Sequence, residues 1–509
     1  MSRFNPLTIG LALPLSFMAQ AALADLTPQQ VWGDWQAYMQ SMGYTVQGTP
    51  SGDDDLLTVE GINLGVSMAD VGGTVQVALG TVTFEQNSDG TVAIVLPDTM
   101  PITVTGMDTT AQGEAFSMAM TYAQTGHEMT ASGTPENITY DYTAADVTVD
   151  LLQTTTGGAN PGHEMANIQI TLGNLDSSTT MTIGDMRGYD QTGSVDTVSY
   201  RILGSDPMTR EETATINGEM TGITVEGSGS LPADIASGAD MSAMIGAGFD
   251  VTGKISYASG KSNIAIEDPN GGYLMNTTSN GGDFGVAVGA DGLTYEVAQR
   301  DLTLNMTGNG VPFPVDITMA ESGFNLSMPV QKSDDPQDFA LGLKFGDFTM
   351  SDMIWSVFDP AGQLPRDPAT IALDLTGKMK LLVDFMNPEA AAKMQGAPGE
   401  LQALNLNTVL VSAAGAKLEG TGAVTFDGNA PSMVPGLGAP VGEVNLAMSG
   451  ANGLIDKLVA MGLLPSDQAM GARMMMGLFA VAGASPDTLN SKIEFTQDGQ
   501  ILANGQRLR

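Results

Sequence analysis

Hydrophobic positions along this 509-residue chain follow two different periods, and each period predicts one kind of element. Near the beginning, Val31, Trp35 and Met39 recur at helical spacing after Pro28. This pattern predicts one amphipathic helix that ends at Gly43 and packs on a sheet. From residue 44 onward, apolar and polar residues alternate, and short Asn-, Asp- and Gly-rich segments separate the alternating runs. That pattern is typical of antiparallel strands joined by hairpin turns.

The alternation leads to a fold class. Runs such as "ADVTVDL", "ANIQITL" and "GAKLEGTGAVTFDG" place apolar side chains on one side of the strand and polar side chains on the other. Sheets built in this way have one face in contact with water. We therefore predict a mainly β fold, with large antiparallel meander sheets, curved or sandwich-like, and a few amphipathic helices packed on them.

Three regions follow from the breaks in this pattern. Residues 1–24 read as a leader, and residues 25–247 as an N-terminal helix followed by an acidic antiparallel β region. The segment 231–250, "LPADIASGADMSAMIGAGFD", predicts a helix with weak caps and is the best candidate for a junction. Residues 248–509 then form a C-terminal β region with a helical hairpin near 452–481.

The leader has the form of a secretory signal peptide. Arg3 precedes a short apolar stretch, and Ala22 and Ala24 give a small-x-small cleavage site before Asp25. The alternative, a membrane anchor, is disfavoured because the apolar stretch is short and contains Pro14. We expect export with cleavage after Ala24.

Composition limits the chemistry. The chain has no cysteine, which excludes disulfides, a thiol nucleophile and a lipid anchor attached to cysteine. Apolar runs outside the leader fall well short of the roughly 18 residues that a membrane helix needs. We therefore expect a soluble protein with no stable membrane insertion after the leader is cleaved.

The charge is strongly acidic and unevenly distributed. The whole chain carries 57 acidic and 19 basic residues, a net charge of −38. Residues 25–250 contain 30 acids against three arginines, and the first lysine is Lys254. Such a surface repels phosphate backbones, so we expect no nucleic-acid binding. A solubility coat explains the charge better than a dedicated cation site, although weak attraction of divalent cations stays open.

Both histidines lie in copies of the tetrapeptide "GHEM", as His127 and His163. A zinc site needs three or four ligands, and the H-E-x-x-H spacing fails because Ala131 and Asn167 stand at its last position. Both copies lie beside turn residues, as strand starts do. We interpret them as a duplicated strand edge rather than a metal or catalytic site.

Other candidate motifs also favour turns and strands. "SGKS" at 259–262 lacks the first glycine of a phosphate-binding loop, and no G-x-S-x-G sequence is present. "EQNSDG" lacks the glutamate that would complete a calcium loop, because Leu96 stands there. We therefore predict no catalytic residue, no metal site and no cofactor.

The most apolar helices predicted in the chain form the hairpin near its end. Leu454, Leu458 and Met461 share one face of the first helix, and Met475 and Phe479 lie on a second helix that is apolar nearly all round. We predict that these five residues form a lid over a cavity for an apolar ligand. The alternative is plain core packing, for which methionine is well suited.

The closing segment carries a resemblance. "GEVNLAMSG", "LIDKLVAMGLL", a Met-rich helix and "FTQDGQILANGQRL" follow one another in the order seen in exported proteins of the domain of unknown function 2125 family. "DPAGQLPRDPATIALDLTG" is similar to a corner in members of that family. The resemblance covers most of the chain after the leader, and it implies an exported protein of a Gram-negative bacterium. It implies no reaction, ligand or catalytic residue.

Two functions remain after these exclusions. The first is a periplasmic, non-catalytic binding or scaffold protein for an apolar or lipid-like ligand, because curved meanders form concave apolar surfaces that Met-rich helices can cover. The second is a carboxylate-dependent hydrolase of the periplasm, although no spacing of acidic residues in the sequence supports it. A copurifying lipid would favour the first function, and a narrow pH optimum on glycans or esters would favour the second. The oligomeric state is not determined by the sequence.

Overall fold

The computed structural model describes ten ranges of the chain. They are residues 26–41, 43–68, 73–108, 114–156, 166–205, 213–232, 241–268, 271–394, 396–427 and 438–508. Within these ranges the helices are α1 (Pro28–Ser41), α2 (Met241–Gly246), α3 (Asp352–Phe358), α4 (Pro388–Ala392), α5 (Ala451–Ala460) and α6 (Ser466–Phe479).

The strands account for most of the described residues. In the first half they are β1 (Thr45–Gly52), β2 (Leu56–Met68), β3 (Gly73–Gln86), β4 (Val92–Val95), β5 (Thr99–Asp108), β6 (Glu114–Thr125), β7 (Glu128–Thr134), β8 (Asn137–Thr156), β9 (Ala166–Thr182), β10 (Met186–Ser205) and β11 (Thr213–Pro232). In the second half they are β12 (Asp250–Tyr257), β13 (Ser259–Glu267), β14 (Tyr273–Ser279), β15 (Gly282–Gly289), β16 (Gly292–Gly308), β17 (Val311–Met328), β18 (Gln337–Met350), β19 (Ala369–Leu381), β20 (Gly399–Ala413), β21 (Ala416–Asp427), β22 (Ala439–Ser449), β23 (Val481–Ala482), β24 (Thr488–Phe495), β25 (Ile501–Ala503) and β26 (Gln506–Arg507).

The described strands form one continuous sheet whose pairings are antiparallel. The predicted mainly β, antiparallel fold class is confirmed. Most neighbours are consecutive, as in a meander. Around β11 the order changes, because β11 pairs with β12 along one half of its length and with β13 along the other half.

Helix α1 forms where the first hydrophobic period predicts it. The Thr27 hydroxyl accepts a hydrogen bond from the Gln30 amide at 3.3 Å, and the Gln30 side chain accepts one from the Thr27 amide at 2.9 Å. These reciprocal bonds satisfy amide groups that the first turn leaves without helical partners. Gly43, at φ 84°, takes the left-handed conformation that ends helices.

A line of left-handed residues crosses the middle of the sheet. Asn174, Gly222, Asp301 and Asp347 have φ values of 52°, 61°, 47° and 51° within or between long strands. A left-handed residue in a strand bends it locally. In β16 the apolar, less exposed positions are odd-numbered before Asp301 and even-numbered after it. The break therefore keeps apolar side chains on the same surface of the sheet.

The main buried core lies at the N-terminal end of the sheet, under α1. Val31 and Trp32 of this helix pack on Val59, Val82 and Phe84 of β2 and β3. The rings of Trp32 and Phe84 lie 6.0 Å apart between centroids. One helix therefore closes one end of the sheet into a core.

A buried ion pair fixes α1 to β10. The Arg187 guanidinium contacts the Asp34 carboxylate, and both side chains are less than a tenth exposed. Asp34 also accepts a hydrogen bond from the Tyr140 hydroxyl at 2.8 Å, and Arg187 lies over the Tyr38 ring at 5.1 Å. Burial raises the pKa of Asp34, and the Tyr140 and Arg187 contacts oppose that rise. These two contacts thus offset part of the cost of burying the carboxylate.

The helix predicted over 231–250 is shorter than expected. Leu231 and Pro232 belong to β11, and among the described residues of this segment only Met241–Gly246 is helical. The ladder of β11 with β12 and β13 continues across the predicted boundary at residue 247. The division into two regions at residue 247 stays a prediction.

The ion pair generates the first testable prediction. We expect Arg187→Ala to lower the free energy of unfolding by about 3–5 kcal/mol, because it leaves the buried Asp34 carboxylate without its cation. Urea unfolding followed by tryptophan fluorescence measures this, since Trp32 lies on the same helix. The control is Lys261→Ala, which breaks the exposed pair with Glu219 and should cost at most about 1 kcal/mol. Equal losses in both variants would contradict the prediction.

Candidate apolar binding site

The register of the C-terminal strands aligns apolar residues into rows across the sheet. One row runs through directly paired positions of seven strands, and a second row lies beside it on three of them. We define the apolar stripe as these ten residues: Ile255, Phe284, Val297, Phe324, Leu343, Leu373 and Val409 in the first row, and Phe345, Ile371 and Val411 in the second. Because side chains alternate along a strand, paired positions put them all on one face.

The apolar stripe is not buried. Ile371 is 48% exposed, Ile255 is 42% exposed and Phe324 is 37% exposed. The Tyr295 ring nevertheless contacts both Phe284 and Phe324, with ring centroids 5.4 and 6.1 Å away. The stripe is therefore a continuous apolar surface that no described element covers along its middle.

The opposite face of the same strands is polar and charged. Lys344 pairs with Glu321 at 2.7 Å, and Arg300 pairs with Asp283 at 2.7 Å. Hydrogen bonds from the Ser256 hydroxyl and from Arg300 hold the pKa of Asp283 below its usual value. One face of the sheet is thus suited to water and the other to an apolar partner.

Helices α5 and α6 lie over the end of the apolar face formed by β21, β22 and β24. Between α6 and the sheet is a pocket of about 240 Å³. Its apolar lining consists of Leu418, Leu446, Met448 and Leu489 from the sheet and Met475, Met476 and Phe479 from α6. Leu418 pairs with Val411, and Leu446 lies in the continuation of the first row. The pocket is therefore the covered end of the surface whose open part is the stripe.

Polar contacts hold this hairpin at both ends. At the start of α5, the Asp487 carboxylate accepts hydrogen bonds from the Asn452 and Gly453 amides at 3.1 and 2.9 Å. Partial burial opposes ionisation of Asp487, but these amides hold its pKa below the usual value. At the end of α6, the Phe479 carbonyl accepts hydrogen bonds from the Ser491 hydroxyl at 2.6 Å and from the Asn504 amide group at 3.0 Å.

The five residues predicted as a lid fall into two groups. Met475 and Phe479 line the pocket, as the prediction requires. Leu454, Leu458 and Met461 lie outside that lining and are half-buried in and beside α5. A ligand-binding role for these five residues stays a prediction.

The sequence reading missed the apolar stripe itself. Alternation along the chain predicts strands in this region, but the alignment of side chains into rows depends on which strands pair and in which register. For example, β12 pairs with β15 and β14 with β16, past one or two intervening strands. A signal was present in the repeated aromatic residues at Phe284, Tyr295, Phe324 and Phe345.

The histidine motif is described in one of its two copies. His127 directly precedes β7, and its Nε2 atom lies 3.0 Å from the Leu96 carbonyl oxygen. Its Nδ1 atom lies 3.9 Å from the exposed Asp98 carboxylate. The second copy, with His163, and the cleavage site at Ala22, Ala24 and Asp25 lie outside the described residues.

Two further motifs of the sequence can be located. "SGKS" lies within β13, and "EQNSDG" spans the end of β3 and the turn to β4. In the part of the chain that is described, no group of three or more histidine, aspartate or glutamate side chains is placed to hold a metal ion. No helix in the described ranges has both the length and the apolarity needed to cross a membrane. The absence of a metal role for the histidines stays a prediction.

Comparison with known proteins gives one match. Residues 258–508 match a family described as an uncharacterized protein conserved in bacteria, the domain of unknown function 2125 family. The match covers the C-terminal half of the chain, which is just over half of the residues after the leader. No curated protein and no solved structure matches the chain. The apolar stripe, apart from Ile255, and the pocket lie within the matched residues.

The free energy of unfolding of a Met475 variant can distinguish a lid from plain core packing. This side chain is 51% exposed, so we expect Met475→Asp to lower the free energy of unfolding by less than about 1 kcal/mol. The control is Leu381→Asp, at a fully buried position, which should cost at least about 3 kcal/mol. Chemical unfolding of both variants measures the difference. A loss in Met475→Asp that equals the control would show that α6 is plain core.

Proposed function

We propose that this chain, whose residues 258–508 belong to the domain of unknown function 2125 family, is an exported, non-catalytic protein that binds an apolar or lipid-like ligand. The observation that carries the proposal is the uncovered apolar stripe. Contiguous apolar surface is unfavourable in water, and on soluble proteins it marks binding sites.

The dimensions of the stripe suit an extended hydrocarbon chain. Seven neighbouring strands at about 4.8 Å spacing give the first row a length of roughly 29 Å. A single lipid tail spans about 15 Å, half of the roughly 30 Å hydrocarbon core of a bilayer. The stripe therefore offers more length than one tail needs, and the pocket under α6 continues it.

Binding would be driven by the removal of apolar area from water. Each square ångström of apolar surface buried contributes about 25 cal/mol. The charged opposite face keeps its ion pairs in water, so a ligand gains nothing by binding there. This difference between the faces predicts which substitutions abolish binding.

A pair of double variants tests the site. Phe324→Asp with Ile371→Asp places two charges in the stripe, and we expect it to weaken binding of a fluorescent fatty acid by at least about tenfold, since each buried charge is costly. The matched control is Asn325→Asp with Ala372→Asp, on the neighbouring positions of the same strands that face the opposite side. The control should bind like the native protein.

Lipid extraction of the purified native protein, followed by mass spectrometry, is the direct companion measurement. We expect a copurifying lipid in the native protein and in the control, and none in the stripe variant. A native protein that carries no lipid and binds no fatty acid would overturn the proposed function.

We also propose a periplasmic location in a Gram-negative bacterium. The form of the leader, the absence of cysteine and the family resemblance support it. N-terminal sequencing of the protein recovered from the periplasmic fraction should begin at Asp25. Recovery from the cytoplasm with Met1 retained would contradict export.

A further inference from the structure

The outer side of α6 exposes a second apolar surface, separate from the pocket. Met470 is 70% exposed, Met474 is 71% exposed and Leu478 is 52% exposed. Spaced four residues apart, they lie along one side of the helix. We call these three residues the outer face of α6. Leu463 and Val481, next to the two ends of α6, are also about half-exposed.

The outer face is not needed for packing against the sheet. Ala469 is the buried residue of α6, and Met476 lines the pocket. At 100° per residue, Met474 lies on the opposite side of the helix from Met476, and Leu478 lies close to Met474. Helix α6 is therefore apolar toward the sheet and apolar toward solvent, which is unusual for a helix at a protein surface.

The charge of the hairpin indicates the kind of partner. Residues 451–483 contain two acids and two bases, a net charge of zero, in a chain of net charge −38. Arg473 is paired with Asp456 at 2.5 Å, so neither charge is left to attract a partner of opposite sign. A second copy of this acidic chain, or an acidic protein, would be repelled by the remainder of the molecule. A neutral, apolar interface such as a zwitterionic bilayer meets no such repulsion.

We propose that the outer face of α6 is a peripheral membrane-docking surface that lies in the interface of a bilayer of zwitterionic lipids. An interfacial helix buries its apolar side about 5–10 Å into the boundary between headgroups and acyl chains. A helix is about 10 Å across, so docking would bring lipid tails within one helix diameter of the pocket beside Met475 and Phe479. This proposal rests on the proposed function, because docking would supply the lipid that the stripe binds.

Vesicle flotation with phosphatidylcholine liposomes tests the proposal. The native full-length protein should float with the vesicles. The triple variant Met470→Ser, Met474→Ser, Leu478→Ser should partition at least about tenfold less, because three apolar side chains no longer enter the interface. The matched control changes three apolar residues that are half-exposed or more elsewhere, Val95→Ser, Met353→Ser and Val357→Ser, and should float like the native protein.

Fatty-acid binding in solution separates this proposal from the proposed function. The outer-face variant should bind fluorescent fatty acid like the native protein, whereas the stripe variant Phe324→Asp with Ile371→Asp should float but fail to bind it. A native protein that stays out of the vesicle fraction, or an outer-face variant that floats normally, would overturn the docking proposal. Sedimentation that shows a dimer lost in the outer-face variant would assign this surface to a second copy instead.

Discussion

The structure depends on one constraint, the strict alternation of side chains in an antiparallel ladder that keeps a shared register over many strands. From Ile255 to Val409, each apolar residue of the first row is paired directly with the next. A shift of one residue in any of these strands would move its apolar side chains to the other face. The register therefore decides whether the molecule has one apolar face or two mixed ones.

The same alternation has different outcomes at the two ends of the sheet. At the N-terminal end, α1 lies on the apolar face, and Val59, Val82 and Phe84 become a buried core. Between β12 and β20, no described helix lies on the middle of that face, so its residues remain partly exposed. The apolar surface is thus exposed because no described helix covers this part of the sheet. The strands themselves alternate apolar and polar residues as half-buried strands ordinarily do. This is the physical basis for proposing a binding surface in the C-terminal half.

Local features of the fold could be predicted from the sequence, and long-range features could not. The start and end of α1, the hairpin of β20 and β21 and the two helices of the C-terminal hairpin follow from spacing and turn residues over short distances. Met475 and Phe479 were predicted beside a cavity because α6 is too apolar for an ordinary surface helix. The stripe was missed because it joins residues up to 156 positions apart, from Ile255 to Val411, through pairings that no local pattern specifies. The switch of apolar positions from odd to even numbers at Asp301 could not be predicted either. It depends on the left-handed backbone of that residue, and a single aspartate in a sequence does not indicate that conformation.

For the apolar ligand that we propose, the contacts of the hairpin favour entry along the sheet rather than under a moving helix. The Asp487 carboxylate binds two amides at the start of α5, and the Phe479 carbonyl is held by Ser491 and Asn504 at the end of α6. The bonds to the charged Asp487 carboxylate contribute about 1.5–3 kcal/mol each and those to the neutral Phe479 carbonyl about 0.5–1.5 kcal/mol each. Lifting the hairpin as a unit would therefore cost several kcal/mol. Sliding a hydrocarbon chain from the open stripe into the pocket breaks none of them. In the proposed function, the fixed hairpin is therefore the closed end of an apolar track, and the open rows from Ile255 to Val411 set the length available to a ligand.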